Sequence, residues 1–335
     1  MTMLTVLDSL PDGLLSAEAT QLEELLGGPT LIHLPGRRPE PLLVSALLHG
    51  NETTGWRAIQ RVLRRYESRE LPRALSLFIG NVKAARYGLR RLDMQPDFNR
   101  IWTGTGTPEH AMMQQVFVDM RQRQVFASID IHNNSGVNPH YACVNRLEHR
   151  FLQFASLFSR TVVYFLRPEG VQSAAFARIC PATTVECGQP DQEQGIEHAE
   201  QYIEASLNLD HIPEHAVAHG DLDLFHTVAI VKVPPEVDFG FGDSEAAIRF
   251  PQDLDRMNFS ELPAQTVIGW LNRNDEIRLD VTDEQGESTG ERYFSYDNNE
   301  IRLKTPVMPS MLTRDERIIR QDCLCYLMER LAIGQ

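Results

Sequence analysis

Residues 41–52 read PLLVSALLHGNE, and this stretch decides how the chain folds. Its first eight residues form a nearly continuous apolar run, which predicts a strand buried on both faces of a sheet. His49 and Glu52 follow that strand directly. A helix is predicted next, because the apolar residues between 56 and 63 share one helical face. The stretch therefore indicates a strand, a polar turn that carries His49 and Glu52, and a covering helix.

The same alternation of strands and helices continues to about residue 210. Further strands are predicted at 30–34, 75–81, 125–131, 140–144, 161–166 and 182–186. Helices are predicted at 108–124 and 193–209, after a helical lead-in over residues 1–28. This order is typical of an α/β domain with a parallel or mixed sheet flanked by helices.

Beyond residue 212 the pattern changes to short β-like runs separated by turn residues. Such runs occur at 227–233, 266–270, 276–281, 292–296 and 300–304. We therefore predict a catalytic domain over 1–212 and a smaller β-rich domain over 213–335. A final helix is predicted over 314–331.

Composition excludes several classes of partner. The chain has 335 residues, with 32 basic and 46 acidic side chains and a net charge of −14. This charge argues against nucleic acid and anionic membrane surfaces, which need a basic footprint. It does not argue against a small anionic substrate bound by a few local arginines.

The sequence shows no secretory-signal pattern and no apolar run of the roughly 18–20 residues that a membrane span needs. It has five cysteines, none of which forms a CxxC pair. A cytoplasmic location is expected, and association of identical chains stays open.

Four residues with chemically useful side chains come at or just after the ends of predicted buried strands. These are His49, Glu52, His132 and Glu186. Loops beyond the carboxyl ends of strands are where ligands bind in open α/β sheets. Two imidazoles and one carboxylate match a catalytic zinc site that leaves one position for water. We therefore predict one Zn²⁺ per chain on the first three residues, with Glu186 as the general base.

Between these residues lies a second group suited to an anionic substrate. A guanidinium at Arg90 or Arg91 could stabilise the oxyanion of a tetrahedral intermediate. Asn99 and Arg100 could bind a substrate carboxylate, since arginine offers bidentate geometry.

Four short motifs occur in an order that resembles a known family. They are HGNE at 49–52, DFNR at 97–100, DIHNNSG at 130–136 and VECG at 185–188. The chain over roughly residues 40–210 is similar to the succinylglutamate desuccinylase/aspartoacylase family, a branch of the zinc carboxypeptidase superfamily. The resemblance implies a zinc carboxypeptidase-like fold, the same three zinc ligands and the same base.

The resemblance also implies roles that the residues alone do not. It points to Arg91 as the group that polarises the scissile carbonyl, with Arg90 as its rival, and to Asp130 as a carboxylate that orients a metal-bound imidazole. Arg178 corresponds to a substrate-binding arginine. Tyr293 and Tyr296 are the candidates for a tyrosine near the substrate.

Together these observations predict a zinc-dependent hydrolase that cleaves the amide bond of an N-acyl amino acid or a similar small substrate bearing a carboxylate. The first alternative is a metallocarboxypeptidase that acts on short peptides, which needs the same machinery. The second is a non-catalytic binding protein that retains the fold. The complete set of ligands and base argues against the second alternative.

Overall fold

The computed structural model describes residues 3–218, 220–272 and 276–332. These residues form two compact units. One comprises the chain up to residue 133 together with 140–223, and the other comprises 134–139 together with 224 onward. The division therefore falls after residue 223 rather than after 212. Residues 209–223 stay with the first unit because Arg73 donates to the Leu209 carbonyl (2.9 Å) and the Asp223 N–H donates to the Arg160 carbonyl (2.8 Å).

The first unit is a sheet of eight strands with helices on both faces. The strands are β1 (Thr5–Leu7), β2 (Thr30–Leu34), β3 (Gly36–Ala46), β4 (Leu71–Ile79), β5 (Ala127–His132), β6 (Tyr141–Val144), β7 (Thr161–Tyr164) and β8 (Ala182–Glu186). The helices are α1 (Leu22–Leu26), α2 (Thr54–Arg65), α3 (Val82–Ala85), α4 (Pro108–Gln122), α5 (His149–Ser156), α6 (Gln172–Phe176) and α7 (Glu193–Asn208). The N-terminal lead-in differs from the predicted helix over 1–28. It contains β1, two short 3-10 helices and α1.

The strand order in this sheet is β1-β2-β4-β3-β5-β8-β6-β7. The central strands β4, β3, β5 and β8 run parallel to one another, whereas β2 and β6 are antiparallel to their inner neighbours. This confirms the predicted mixed α/β sheet. Because β3, β5 and β8 are parallel neighbours, their carboxyl ends meet at one edge of the sheet.

Alternate residues of the buried strands face the two layers of helices. Leu43 of β3 and Phe78 of β4 belong to a core that includes Met113 and Val116 of α4. On the opposite face, Gly55 of α2 lies against side chains of β3 and β5. Both faces are therefore covered, which is why residues 41–48 are almost entirely apolar.

The second unit is mostly β. Its elements are β9 (Asp223–Lys232, which begins at the boundary residue), β10 (Phe239–Phe241), β11 (Ile248–Phe250), β12 (Val267–Leu271), β13 (Asp280–Thr282), α8 (Gly290–Tyr293), β14 (Phe294–Asp297), β15 (Glu300–Leu303), β16 (Met308–Ser310), α9 (Glu316–Gln321) and β17 (Cys325–Arg330). A five-stranded sheet has the order β10-β11-β12-β15-β14, while β17 lies between β9 and β16.

The predicted terminal helix over 314–331 is wrong. Only Glu316–Gln321 is helical, and Cys325–Arg330 is the strand β17. The apolar residues in this region also fit a strand, and β17 gains antiparallel partners on both sides in β9 and β16. Pairing between distant segments thus overrides the local helical pattern. The strand predicted over 276–281 is likewise displaced to Asp280–Thr282.

Along the described chain, no helix combines the length and the apolar character that crossing a bilayer requires.

Candidate active site

The central strands of the first unit deliver the predicted residues to one edge of the sheet. His132 is the last residue of β5, and Glu186 is the last residue of β8. The two strands pair in register, so that His132 lies opposite Glu186. His49 and Glu52 occupy the turn between β3 and α2. Because these parallel strands end at the same edge of the sheet, they bring together residues that are more than 130 positions apart in the sequence.

The turn that carries His49 is held by close packing. A Cβ atom at Gly50 would lie 2.2 Å from the Ala85 backbone nitrogen, so only glycine fits at this position. The Gly50 N–H donates to the Arg90 carbonyl at 3.0 Å. The turn is thereby linked to the loop that carries the predicted arginines.

His49, Glu52 and His132 form a buried cluster. One ligand atom from each residue lies within 4.8 Å of the others. Oε1 of Glu52 is 2.8 Å from Nδ1 of His49, and Oε2 is 2.6 Å from Nδ1 of His132. The three donor groups thus lie close enough together to hold a metal ion. Within the residues that the structure describes, this is the one group of three or more His, Cys, Asp or Glu side chains with such spacing.

A carboxylate lies behind each imidazole. Nε2 of His49 is 3.0 Å from Oδ1 of Asp97, and Nε2 of His132 is 2.8 Å from Oδ2 of Asp130. In both rings the nitrogen that faces away from Glu52 is therefore engaged. This leaves each Nδ1 to face the cluster, an arrangement that typically orients metal-binding histidines and raises their basicity.

The charges in the cluster stabilise one another. Burial by itself would lower the pKa of His132, but Asp130 and Glu52 raise it well above its ordinary value. Burial would raise the pKa of Glu52, but the imidazoles of His49 and His132 lower it below its usual range. The pKa of Asp97 is also lowered, because the effects of His49 and Arg90 outweigh the effect of burial. The imidazoles and the carboxylates around them therefore favour one another's charged forms.

Glu186 differs from the other carboxylates of the site. It is 7% exposed, and burial raises its pKa to about 7, with a smaller opposing effect from His132. A carboxyl group with a pKa near neutrality suits proton transfer at physiological pH.

The structure distinguishes the two candidate arginines. The Arg90 guanidinium is buried, donates to Oδ2 of Asp97 at 3.1 Å and lies 3.6 Å from Oε1 of Glu52. Arg91 is partly exposed, and its guanidinium donates to the Gln95 carbonyl at 2.9 Å. Arg90 is thus the arginine that reaches the ligand cluster. Successive residues of a loop point in different directions, and the spacing between motifs does not reveal which one points inward.

Asn99 and Arg100 have different surroundings. The Asn99 amide is buried, and its Nδ2 lies 3.1 Å from Oδ2 of Asp130 and 3.0 Å from Nε2 of His132. Its Oδ1 accepts the Gln172 N–H at 2.9 Å. These contacts make Asn99 a support for His132. Arg100 is only partly buried, and one of its guanidinium nitrogens donates to the Asn99 carbonyl.

Three other predicted residues make contacts with groups other than His49, Glu52 and His132. Arg178 is exposed, with its guanidinium 5.6 Å from the centre of the Phe117 ring in α4. Tyr293 is buried in the core of the second unit, and the Tyr296 hydroxyl accepts the Leu279 N–H at 2.9 Å.

Two supporting residues were not identified from the sequence. Asp97 holds His49, and the Asn133 N–H donates to Oε2 of Glu52 at 3.2 Å. Both lie inside quoted motifs, Asp97 in DFNR and Asn133 in DIHNNSG. Their membership in those motifs was the available signal, but the partner of each depends on the folding of distant segments.

Comparisons with known proteins identify the family of this chain and structures of similar fold. A model of the succinylglutamate desuccinylase/aspartoacylase catalytic domain matches residues 39–210. No curated protein sequence matches the chain.

Solved structures provide similar folds. The succinylglutamate desuccinylase from Chromobacterium violaceum is 14% identical over 90% of this chain and 87% of that chain, with a TM-score of 0.57. The succinylglutamate desuccinylase from Vibrio cholerae is 16% identical over 87% and 81%, with a TM-score of 0.59. Murine aminoacylase 3 is 14% identical over 88% and 95%, with a TM-score of 0.55. At such low identities these likenesses show the fold alone.

Proposed function

The chain belongs to the succinylglutamate desuccinylase/aspartoacylase family, and from this premise we propose that it is a zinc-dependent hydrolase of the amide bond in an N-acyl amino acid or a similar small carboxylate-bearing substrate. The observation that carries the proposal is the convergence of His49, Glu52 and His132, with a carboxylate behind each imidazole.

The donor set fits one Zn²⁺ per chain. Zinc prefers imidazole and carboxylate ligands, and three protein ligands are typical of catalytic rather than structural sites. When bound there, the metal would lower the pKa of a coordinated water and polarise the substrate carbonyl. Asp97 and Asp130 would hold the two imidazoles in the orientation that directs each Nδ1 toward the ion.

Glu186 is proposed to move the proton. In its ionised form it takes a proton from the attacking water as the C–O bond forms. It then gives that proton to the amine as the C–N bond breaks, which yields the free carboxylic acid and the free amino acid. In the metal-free chain burial raises the pKa of this carboxyl group to about 7, and burial of this kind favours a group that both accepts and donates a proton.

Arginines of the 90–100 loop are proposed to handle the negative charges of the substrate. Arg90 lies against Glu52 and Asp97, so its guanidinium can stabilise the charge that develops on the carbonyl oxygen. Arg100 is proposed to bind the substrate carboxylate. Arg91 and Arg178 stay weaker candidates for these roles, because neither has a contact with the ligand cluster like that of Arg90. The engagement of Asn99 with Asp130 and His132 favours a supporting role over direct substrate binding.

The proposal is tested first by metal analysis. Purified protein should contain about one zinc per chain, lose amidase activity with 1,10-phenanthroline, and regain it when zinc is added back. Glu52→Gln should lower the zinc content, since a neutral amide is a poorer ligand. Full activity after removal of all metal would refute the proposed function.

A substrate panel then separates the alternatives. N-succinyl and N-acetyl amino acids should be cleaved in preference to dipeptides and tripeptides that have the same C-terminal residue. Preference for the peptides would identify a metallocarboxypeptidase. Stoichiometric zinc with no turnover on either set would favour a binding protein that retains the fold.

A further inference from the structure

The segment that follows His132 is divided between the two compact units. Asn133 belongs to the first unit, where its N–H donates to Glu52 and its Nδ2 donates to the Gly188 carbonyl at 2.9 Å. Residues 134–139 belong to the second unit. Two successive residues are therefore held by different units, directly after a proposed metal ligand.

Asn258 holds this segment within the second unit. It lies at the end of a short 3-10 helix (Leu254–Met257) and is 8% exposed. Its Nδ2 donates to the carbonyls of Val137 (3.0 Å) and Leu312 (2.8 Å), and its Oδ1 accepts the Leu312 N–H (2.9 Å). One buried amide thus joins residues 134–138 to the segment that follows β16.

Further contacts make the same connection. The Met311 N–H donates to Oδ1 of Asn138 at 3.2 Å, and Nδ2 of Asn134 lies 3.2 Å from Sδ of Met311. A Cβ atom at Gly136 would lie 1.9 Å from the Leu312 carbonyl oxygen, so glycine alone permits this approach. These contacts account for Asn134 and Gly136 of the DIHNNSG motif, which the catalytic residues do not explain.

We propose that Asn258 is a positioning residue for the metal site, an inference that rests on the proposed function. Consecutive Cα atoms are about 3.8 Å apart and cannot separate further. Holding residues 134–138 therefore restricts Asn133, whose N–H holds Glu52, and His132 just before it. These hydrogen bonds thus restrict the backbone from which one metal ligand projects and to which another is hydrogen-bonded.

Asn258→Ala tests the proposal, with Asn272→Ala as the matched control. The Asn272 amide also donates to two carbonyls of the second unit, those of Ser244 (3.0 Å) and Ala246 (2.9 Å), but it lies on a different loop. Hydrogen–deuterium exchange of metal-free protein should be at least about tenfold faster over residues 133–138 in Asn258→Ala, since exchange follows local opening. The Zn²⁺ dissociation constant, measured by competition with a chromophoric chelator, should rise about 10–100-fold, the range seen when support of a metal ligand is lost. Asn272→Ala should change neither quantity.

Gly136→Ala provides a second variant that leaves Asn258 intact. It displaces the same segment from Leu312 and should reproduce both effects. Unchanged exchange over 133–138 in a folded Asn258→Ala protein would overturn the proposal. So would faster exchange with unchanged zinc affinity, because the segment would then not reach the ligands. Failure of the wild-type protein to bind zinc would instead count against the proposed function, while the exchange measurement still decides whether Asn258 holds the segment.

Discussion

Replacing Glu186 with glutamine separates the role of this residue in catalysis from its effect on the free energy of unfolding. The side chain ends β8 opposite His132 and is 7% exposed. Burial raises its pKa from 4.5 to about 7. Glutamine has nearly the same shape but carries no charge and cannot accept the proton of an attacking water.

In the zinc-loaded enzyme, Glu186→Gln should lower kcat by about 10²–10⁴-fold, the usual scale for loss of a general base. This corresponds to a barrier higher by about 2.7–5.4 kcal/mol at 1.36 kcal/mol per factor of ten. Zinc content should stay at the wild-type level, because Glu186 is outside the proposed ligand set. Steady-state kinetics on the best N-acyl amino acid and metal analysis of the same samples measure both quantities.

In metal-free protein the same change should alter how stability depends on pH. A folded-state pKa of about 7 against 4.5 in the unfolded chain corresponds to about 3 kcal/mol at 1.36 kcal/mol per pKa unit. The pKa is raised on folding, so this contribution is fully present below pH 4.5 and is lost as the pH rises through about 7. Between pH 5 and 8 the free energy of unfolding of the wild-type protein should therefore fall by about 2–3 kcal/mol, whereas the glutamine variant should not show this fall.

Urea unfolding at several pH values, with chelator present, measures that difference. Glu200→Gln is the control. Glu200 is 5% exposed on α7 and forms an ion pair with Arg65, so its replacement tests whether any buried Glu-to-Gln change has the same effect. A glutamine variant at 186 with undiminished turnover would refute the base assignment. A stability difference that does not vary between pH 5 and 8 would refute the raised pKa.

Three more predictions concern residues around the site and in the core. Arg90→Ala should reduce kcat/KM by about 10²–10³-fold, as for loss of an oxyanion donor, whereas Arg91→Ala should stay within about threefold of wild type in the same assay. Asp130→Asn should weaken Zn²⁺ binding by about 10–100-fold in chelator competition, because the carboxylate behind His132 is lost; equal affinity would contradict that role. Trp102→Ala should lower the free energy of unfolding by about 3–5 kcal/mol in urea titrations, since this fully buried ring packs edge-on against two phenylalanines.

The sequence by itself determined the α/β class and pointed to four candidate residues of the site. The reason is local. Strands buried on both faces must be apolar, as residues 41–48 are, and polar residues at their carboxyl ends are then conspicuous. His49, Glu52, His132 and Glu186 could therefore be named before any contact was known.

Tertiary structure alone decided which neighbours support those residues. Whether Arg90 or Arg91 points inward depends on how the 86–97 loop packs against Gly50, and the partner of Asp97 lies 48 positions away. In the same way, Cys325–Arg330 is a strand only because β9 and β16 lie on either side of it. Such choices depend on contacts between distant segments. Local propensity carries no information about them, since a side chain's direction in a loop, and a strand's partners, are settled only when the chain has folded.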